Sequence, residues 1–264
     1  MLELQSIRKT FNRGTPDESV LFDDFSFAVT RGEFVSIVGS NGSGKTTLLN
    51  LIGGSVSADG GKILLGGEDI TAQKEFVRAR RIGRVFQDPS RGTANSMTVA
   101  ENMALAENKG KPYAQTAGLN KKRVEGYRDM LAPLRLGLEE RMNVPVGALS
   151  GGQRQVLTLV IATMTPIDLL LLDEHTAALD PKTADKVLQI TEEIVARDNL
   201  TTMMVTHNMK HAIQYGNRLI MMWEGKIILD IQGEEKKKLT VKDLLDKFEE
   251  ASGEEFSNDS ALLS

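Results

Sequence analysis

One short stretch carries residue types able to hold a polyphosphate. Gly39-Ser40-Asn41-Gly42-Ser43-Gly44-Lys45-Thr46-Thr47 has the spacing G-x-x-x-x-G-K-[ST] of a phosphate-binding loop. Glycines allow backbone conformations barred to other residues, and the N–H groups they free turn inward as an anion nest. A helix starting at Thr46 adds its positive end, worth about half an elementary charge. In such a loop Lys45 reaches the β- and γ-phosphates, Thr46 offers its hydroxyl to Mg²⁺, and Thr47 touches the α-phosphate. The stretch lies between an apolar strand, Phe34 to Val38, and that helix. This setting separates it from a glycine-rich turn that holds nothing.

A second group of residues supplies carboxylates. Leu169 to Leu172 is apolar on both faces, as a central parallel strand must be, and it runs straight into Asp173-Glu174. Ligands of open α/β sheets bind beyond the carboxyl ends of such strands. Mg²⁺ keeps most of its waters and takes one or two carboxylates. Asp173 is therefore assigned to Mg²⁺ and Glu174 to the attacking water, where general-base help is worth about 10²–10⁴-fold in rate. His207 follows the next strand, Thr202 to Val205, and is placed to hydrogen-bond a γ-phosphate and hold the water–glutamate geometry. Asp180 precedes Pro181 and reads as the cap of a helix running to about Arg197, a role compatible with nucleotide contact.

Leu149-Ser150-Gly151-Gly152-Gln153 precedes another apolar helix. Ser150 is a candidate cap, and the two glycines free a second set of N–H groups at a helix start. One chain thus carries two anion sites.

The surrounding elements follow from pattern. Leu2 to Ile7, Phe25 to Val29, Lys62 to Leu65 and Ile82 to Phe86 read as strands. Residues from about Asp88 to Thr163 form a largely helical insertion, broken at Pro112 and Pro133. Leu219 to Trp223 and Lys226 to Ile231 flank a hairpin turn at Glu224-Gly225, with Trp223 packing the hairpin. Thr240 to Ala251 is a helix, and the tail from Ser252 is polar and flexible. Strands alternating with helices predict an α/β fold: a P-loop core with a mostly parallel central sheet, an N-terminal antiparallel β subdomain and an inserted α-helical subdomain. The main domain spans 1–240, with the helical part at about 88–163, and 241–264 forms a C-terminal helix and tail.

The chain has 264 residues, 41% apolar, with a net charge of −4 and no cysteine. That excludes a thiolate metal site and a disulfide scaffold. It also argues against nucleic acid as a partner. No signal peptide and no run of roughly 20 apolar residues is present, so membrane contact is expected through a partner.

Taken in order, GSNGSGKTT, LSGGQ, LLLLDEH, ALD and VTH resemble the ABC ATPase family over about residues 1 to 235. The resemblance implies an ATP-binding and ATP-hydrolysing subunit of a membrane transporter, with ATP and Mg²⁺ as ligands. It implies a homodimer in which Ser150, Gly151, Gly152 and Gln153 of one copy contact ATP held on the loop of the other. It also implies transmembrane permease partners at the cytoplasmic face of the membrane. Gln87 matches the family's glutamine loop, contacting Mg²⁺ and water; by itself it is a surface glutamine. Phe11 stands where the family stacks an aromatic on adenine, with core packing as the rival role. His175 stands where the family usually has Pro, which frees the backbone and adds a titratable ring. The DEHTAALDP and TMMVTHNM segments look like a bacterial subgroup of importer ATPases linked to amino-acid substrates, aromatic ones among them. That would bring an extracytoplasmic substrate-binding protein. The rivals are a lipid or peptide exporter, a soluble ABC ATPase of translation or DNA repair, a P-loop kinase and a non-catalytic module. A kinase has no use for LSGGQ, and a soluble ABC ATPase usually has two cassettes or a long coiled coil.

Overall fold

A computed structural model describes residues 1–110 and 119–252. The expectations for Pro112 and for the tail beyond Ser252 lie outside these residues.

Two sheets face each other. The first is antiparallel: strands β1 (Leu2–Phe11), β2 (Ser19–Val29), β4 (Gly60–Leu65) and β5 (Glu68–Asp69), in the order β2-β1-β4-β5. The second contains β3 (Phe34–Gly39), β6 (Ile82–Val85), β7 (Leu169–Asp173), β8 (Thr201–Val205), β9 (Arg218–Trp223) and β10 (Lys226–Gln232). Its order is β10-β9-β3-β8-β7-β6, parallel except for the β9–β10 hairpin.

The leucines of β7 show why a strand can be apolar on both faces. Leu169 and Leu171 enter the core shared with β1, β2 and the helix α1 (Lys45–Gly53), whose last turn accepts from Arg78 of the short helix α2 (Glu75–Arg78). Leu170 and Leu172 point the other way, into the core built with α3 (Val99–Glu107), α4 (Lys121–Leu131), α5 (Gly151–Thr163) and α6 (Pro181–Arg197). Successive side chains of a strand alternate between faces, so a strand between two cores has no polar position left. Burying a side chain of this size is worth about 1.5–3 kcal/mol. α6 is amphipathic, turning Val187, Ile190 and Ile194 inward. A third cluster joins α7 (Met209–Gln214) and α9 (Val241–Ser252) to the outer face of β9.

The elements expected from sequence are present, with boundaries moved by a few residues. β1 and β2 are longer than their apolar patterns, because bulges break the alternation and left-handed residues sit at Ser6 and Asp24. α7 and α8 (Gly233–Lys238) went unread. Both are six residues long, and α8 has the sequence GEEKKK, which looks like a solvated charge run. Yet Lys236 is buried, donating to the carbonyls of Tyr215 and Gly216. Trp223 packs edge-on against Phe248 of α9, at 5.1 Å between ring centroids, and joins the cluster that includes Ile228 and Leu229 of its own hairpin.

The tip of that hairpin touches the N-terminal sheet. Gly225 has φ +72°, and a Cβ there would lie 1.7 Å from the Leu21 carbonyl oxygen. Gly225→Ala meets both a left-handed backbone and a clash with main chain. It should cost at least about 2 kcal/mol, seen in thermal unfolding as a midpoint lower by roughly 4 °C or more.

Candidate functional site

The carboxyl ends of β3, β7 and β8 converge on one cleft. Its walls include Asn41, Gly42, Gly44, Lys45, Thr46, Thr47, Glu174 and His207, around a volume of about 260 Å³.

The loop from Gly39 to Gly44 takes its shape from glycine. Gly42 and Gly44 have φ +80° and +101°, and Gly44 is the left-handed residue that opens α1. At Gly39 the requirement is space: a Cβ would stand 2.1 Å from the Met222 carbonyl oxygen. The hairpin tip braces the same loop, with the Gly225 amide donating to the Ser43 carbonyl at 3.1 Å. Lys45 is buried. Its ammonium donates to the carbonyls of Gly39 (2.8 Å) and Ser40 (2.7 Å). Burial lowers its pKa, while the charges of Glu174 and Asp173 oppose that shift.

Asp173 ends β7 and is buried. Thr46 Oγ1 lies 3.2 Å from its Oδ1, and Arg84 Nη2 lies 3.4 Å from its Oδ2. Burial raises its pKa, and Arg84 and the Thr46 hydroxyl pull it back. A hydroxyl and a carboxylate oxygen side by side fit a hard cation that takes the rest of its shell from phosphate and water. No three carboxylate or imidazole side chains gather at one point among the described residues. The donor set therefore suits Mg²⁺ and not a dedicated all-protein cage.

Glu174 turns out of the strand with φ +47°, and its amide donates to Val205 at 3.0 Å. Left-handed backbone at a non-glycine residue is strained; it aims the carboxylate across to β8. There His207 Nε2 lies 2.5 Å from Glu174 Oε1. The His207 Nδ1 atom is buried and finds no partner among the described residues.

The other candidates stand apart. Ser150 caps α5 by accepting from the Gln153 amide at 3.3 Å, and Gln153 Oε1 accepts in return from the Ser150 amide at 3.2 Å. The reciprocal cap explains why this pair of residue types opens a helix. None of Ser150, Gly151, Gly152 and Gln153 lines the cleft of its own chain. Gly151 and Gly152 pack instead on Leu179 and Thr183, where a Cβ would approach to 3.1 and 2.5 Å. Asp180 caps α6 through the Thr183 amide at 3.1 Å. Gln87 is exposed two residues beyond the end of β6, and does not line the cleft. Phe11 is at the end of β1, 36% exposed, with the Lys9 ammonium 5.2 Å from its ring centroid. Phe11 belongs to none of the three apolar clusters.

Arg84 was not among the candidates. A lone arginine in the otherwise buried strand Ile-Gly-Arg-Val was the available signal.

His175 is fully enclosed, with Nε2 3.3 Å from the Thr191 hydroxyl. Thr191 itself donates to the Val187 carbonyl at 2.8 Å, so the hydroxyl is left to accept from the imidazole. Burial, with His211 nearby, pushes the His175 pKa down to about 4. The fold thus prefers the neutral ring. Stability is fully present above about pH 6.5 and is lost as pH falls towards about 4, in total about 3 kcal/mol. Urea unfolding at pH 7.5 and 4.5 should show this loss shrinking in His175→Asn.

The family described as ABC transporter matches residues 22–177. A tyrosine transport ATP-binding protein of Clostridioides difficile (strain R20291) is 46% identical over 251 residues, covering 95% of this chain and 100% of the relative. The ADP conformation of an ATP-binding cassette of an ABC transporter superposes with a TM-score of 0.76 at 29% identity, covering 92% of this chain and 95% of that one. A dimeric post-hydrolysis cassette bound to ADP and Pi superposes with a TM-score of 0.73 at 27% identity, covering 88% and 98%.

Proposed function

This chain belongs to the ABC transporter family as an ATP-hydrolysing cassette, and from that premise we propose that two copies close on ATP to drive import of an amino acid, tyrosine or a relative of it. The observation that carries the paired reading is the separation of the two anion sites. The phosphate loop opens α1 and Ser150 opens α5, yet the second does not line the cleft of the first. Each helix start offers free N–H groups and a positive dipole end. A triphosphate bound on one loop and capped by Ser150, Gly151, Gly152 and Gln153 of a second copy would satisfy both. The dimeric arrangement of the ADP- and Pi-bound cassette supports this.

In the closed pair Lys45 leaves the loop carbonyls for the β- and γ-phosphates, and Thr47 holds the α-phosphate. Phe11 stacks on the adenine. Thr46, Asp173 and, from the edge of the sheet, Gln87 would hold Mg²⁺, which would supply neutralisation of charge on the phosphates. Glu174 takes a proton from water as its oxygen bonds to the γ-phosphorus, and the bond to the ADP oxygen breaks. His207 gives up its contact with Glu174 to donate to the γ-phosphate. Catalysis of this kind is positioning and charge stabilisation. Asp180, which caps α6 at its start, is the remaining candidate for nucleotide contact.

No described helix is long and apolar enough to cross a membrane, so translocation falls to permease subunits. A cleft of about 710 Å³ lies between Glu75 and Ala79 on one side and Leu105 and Lys109 on the other. Phe86, which precedes Gln87, is part of its wall. This cleft is the proposed permease seat, and a permease bound there would hold the chain at the cytoplasmic face. The name of the Clostridioides relative supports the substrate class, and import implies a binding protein outside the membrane.

Glu174→Gln should keep ATP affinity, slow hydrolysis by about 10²-fold or more and trap a dimer visible by sedimentation. Ser150→Arg should abolish that dimer and leave monomer ATP binding intact. Wild-type turnover in the first variant, or an ATP-driven dimer in the second, would defeat the assignments. In proteoliposomes with the co-purifying permease, tyrosine should stimulate ATP hydrolysis. Stimulation by unrelated solutes alone would remove the substrate proposal.

A further inference from the structure

Arg84 is a buried charge in a strand, its side chain only 10% exposed. Its guanidinium is fixed from several directions. Nη2 donates to Asn50 Oδ1 of α1 at 2.5 Å, and Nη1 donates to Ser55 Oγ, just beyond that helix, at 3.1 Å. Its Cζ lies 4.5 Å from the Phe86 ring centroid. Gly53 leaves the room, since a Cβ there would stand 3.2 Å from Nη1. Nη2 also reaches Asp173 Oδ2 at 3.4 Å, while Thr46 meets Oδ1 at 3.2 Å. The two carboxylate oxygens are thereby divided between two partners, which fixes the plane of the group.

We propose that Arg84 is a positioning residue for the metal site: by holding Oδ2 it keeps Oδ1 beside the Thr46 hydroxyl, so that both oxygens are presented together. The proposal rests on the reading of the cleft as an ATP–Mg²⁺ site.

The competing account is plain charge compensation of a buried carboxylate, and it makes the opposite forecasts. Removing a cation from beside a divalent ion would relieve repulsion and tighten ion binding. A lysine would also serve as well as an arginine. An orienting fork is different, because an ammonium is a point charge and cannot make the same set of directed bonds. Partners that orient metal ligands are typically worth 10–100-fold in metal affinity.

The test uses Mn²⁺ in place of Mg²⁺, titrated into the full-length protein–ADP complex, with free Mn²⁺ read by electron paramagnetic resonance. Arg84→Met and Arg84→Lys should each weaken Mn²⁺ binding by about 10-fold or more, with metal-free ADP affinity kept within about 3-fold. Asn50→Ala removes one anchor of the guanidinium without altering the strand. It should weaken Mn²⁺ binding several-fold, and it decides the matter if Arg84→Met does not fold. Unchanged or tighter Mn²⁺ binding in Arg84→Met, wild-type binding in Arg84→Lys, or no effect of Asn50→Ala would each overturn the positioning role. If the wild-type complex binds Mn²⁺ no better than ADP alone, the reading of the site falls, and the role of Arg84 with it.

Discussion

A carboxylate at the end of a strand that is apolar on both faces cannot be left uncompensated. Asp173 follows four leucines that are completely buried, and leaving an ionised group there without partners would cost several kcal/mol. Burial alone would drive it towards the neutral acid. The Thr46 hydroxyl and the Arg84 guanidinium oppose that. Each comes from a neighbouring element, the hydroxyl from the first turn of α1 and the guanidinium from β6. The need to keep one carboxylate charged therefore ties together the phosphate loop, the carboxylate strand and the sheet edge that leads to Gln87.

The phosphate loop depends on a second constraint, close approach of main chain to main chain. Gly39 faces the Met222 carbonyl, Gly225 faces that of Leu21, and the Gly225 amide holds Ser43. The loop is thus braced by the hairpin and by the antiparallel sheet. A preformed nest needs this support, because its inward N–H groups are all donors and cannot satisfy one another. Lys45 spends its donors on the carbonyls of the same loop, and a bound phosphate would take those donors over.

Much of this was legible in the sequence, and the reasons are local. The glycine spacing from Gly39 to Gly44, the leucines of β7 and the Pro181 start of α6 each act over a few residues. Helix and strand types followed directly. What escaped depends on distant partners. The six-residue α8 is held by one buried lysine reaching Tyr215 and Gly216, a contact no charge run announces. Trp223 finds Phe248 across 25 residues. Arg84 looked like an ordinary polar interruption of a strand. The strained turn at Glu174, φ +47°, has no residue-type signature at all, since glutamate rarely adopts it. His175 announced itself only as a departure, and its meaning came from the α6 surface that encloses it.

The unpartnered polar atoms carry the last step. Among the described residues, the buried side-chain atoms without a hydrogen bond are Ser40 Oγ, Arg84 Nε, Glu139 Oε2, Arg154 Nε and His207 Nδ1. Ser40 and His207 flank the nucleotide cleft, Arg84 stands behind Asp173, and Arg154 follows the Ser150 cap. Each costs about 1–3 kcal/mol, in a domain whose net stability is typically about 5–15 kcal/mol. A fold under selection for stability alone would remove them or scatter them at random. His207 lines the cleft and Ser40 belongs to the phosphate loop, so a ligand of that cleft would supply the partner their buried atoms lack, whereas Glu139 lies elsewhere, beside Arg128 and Asp129.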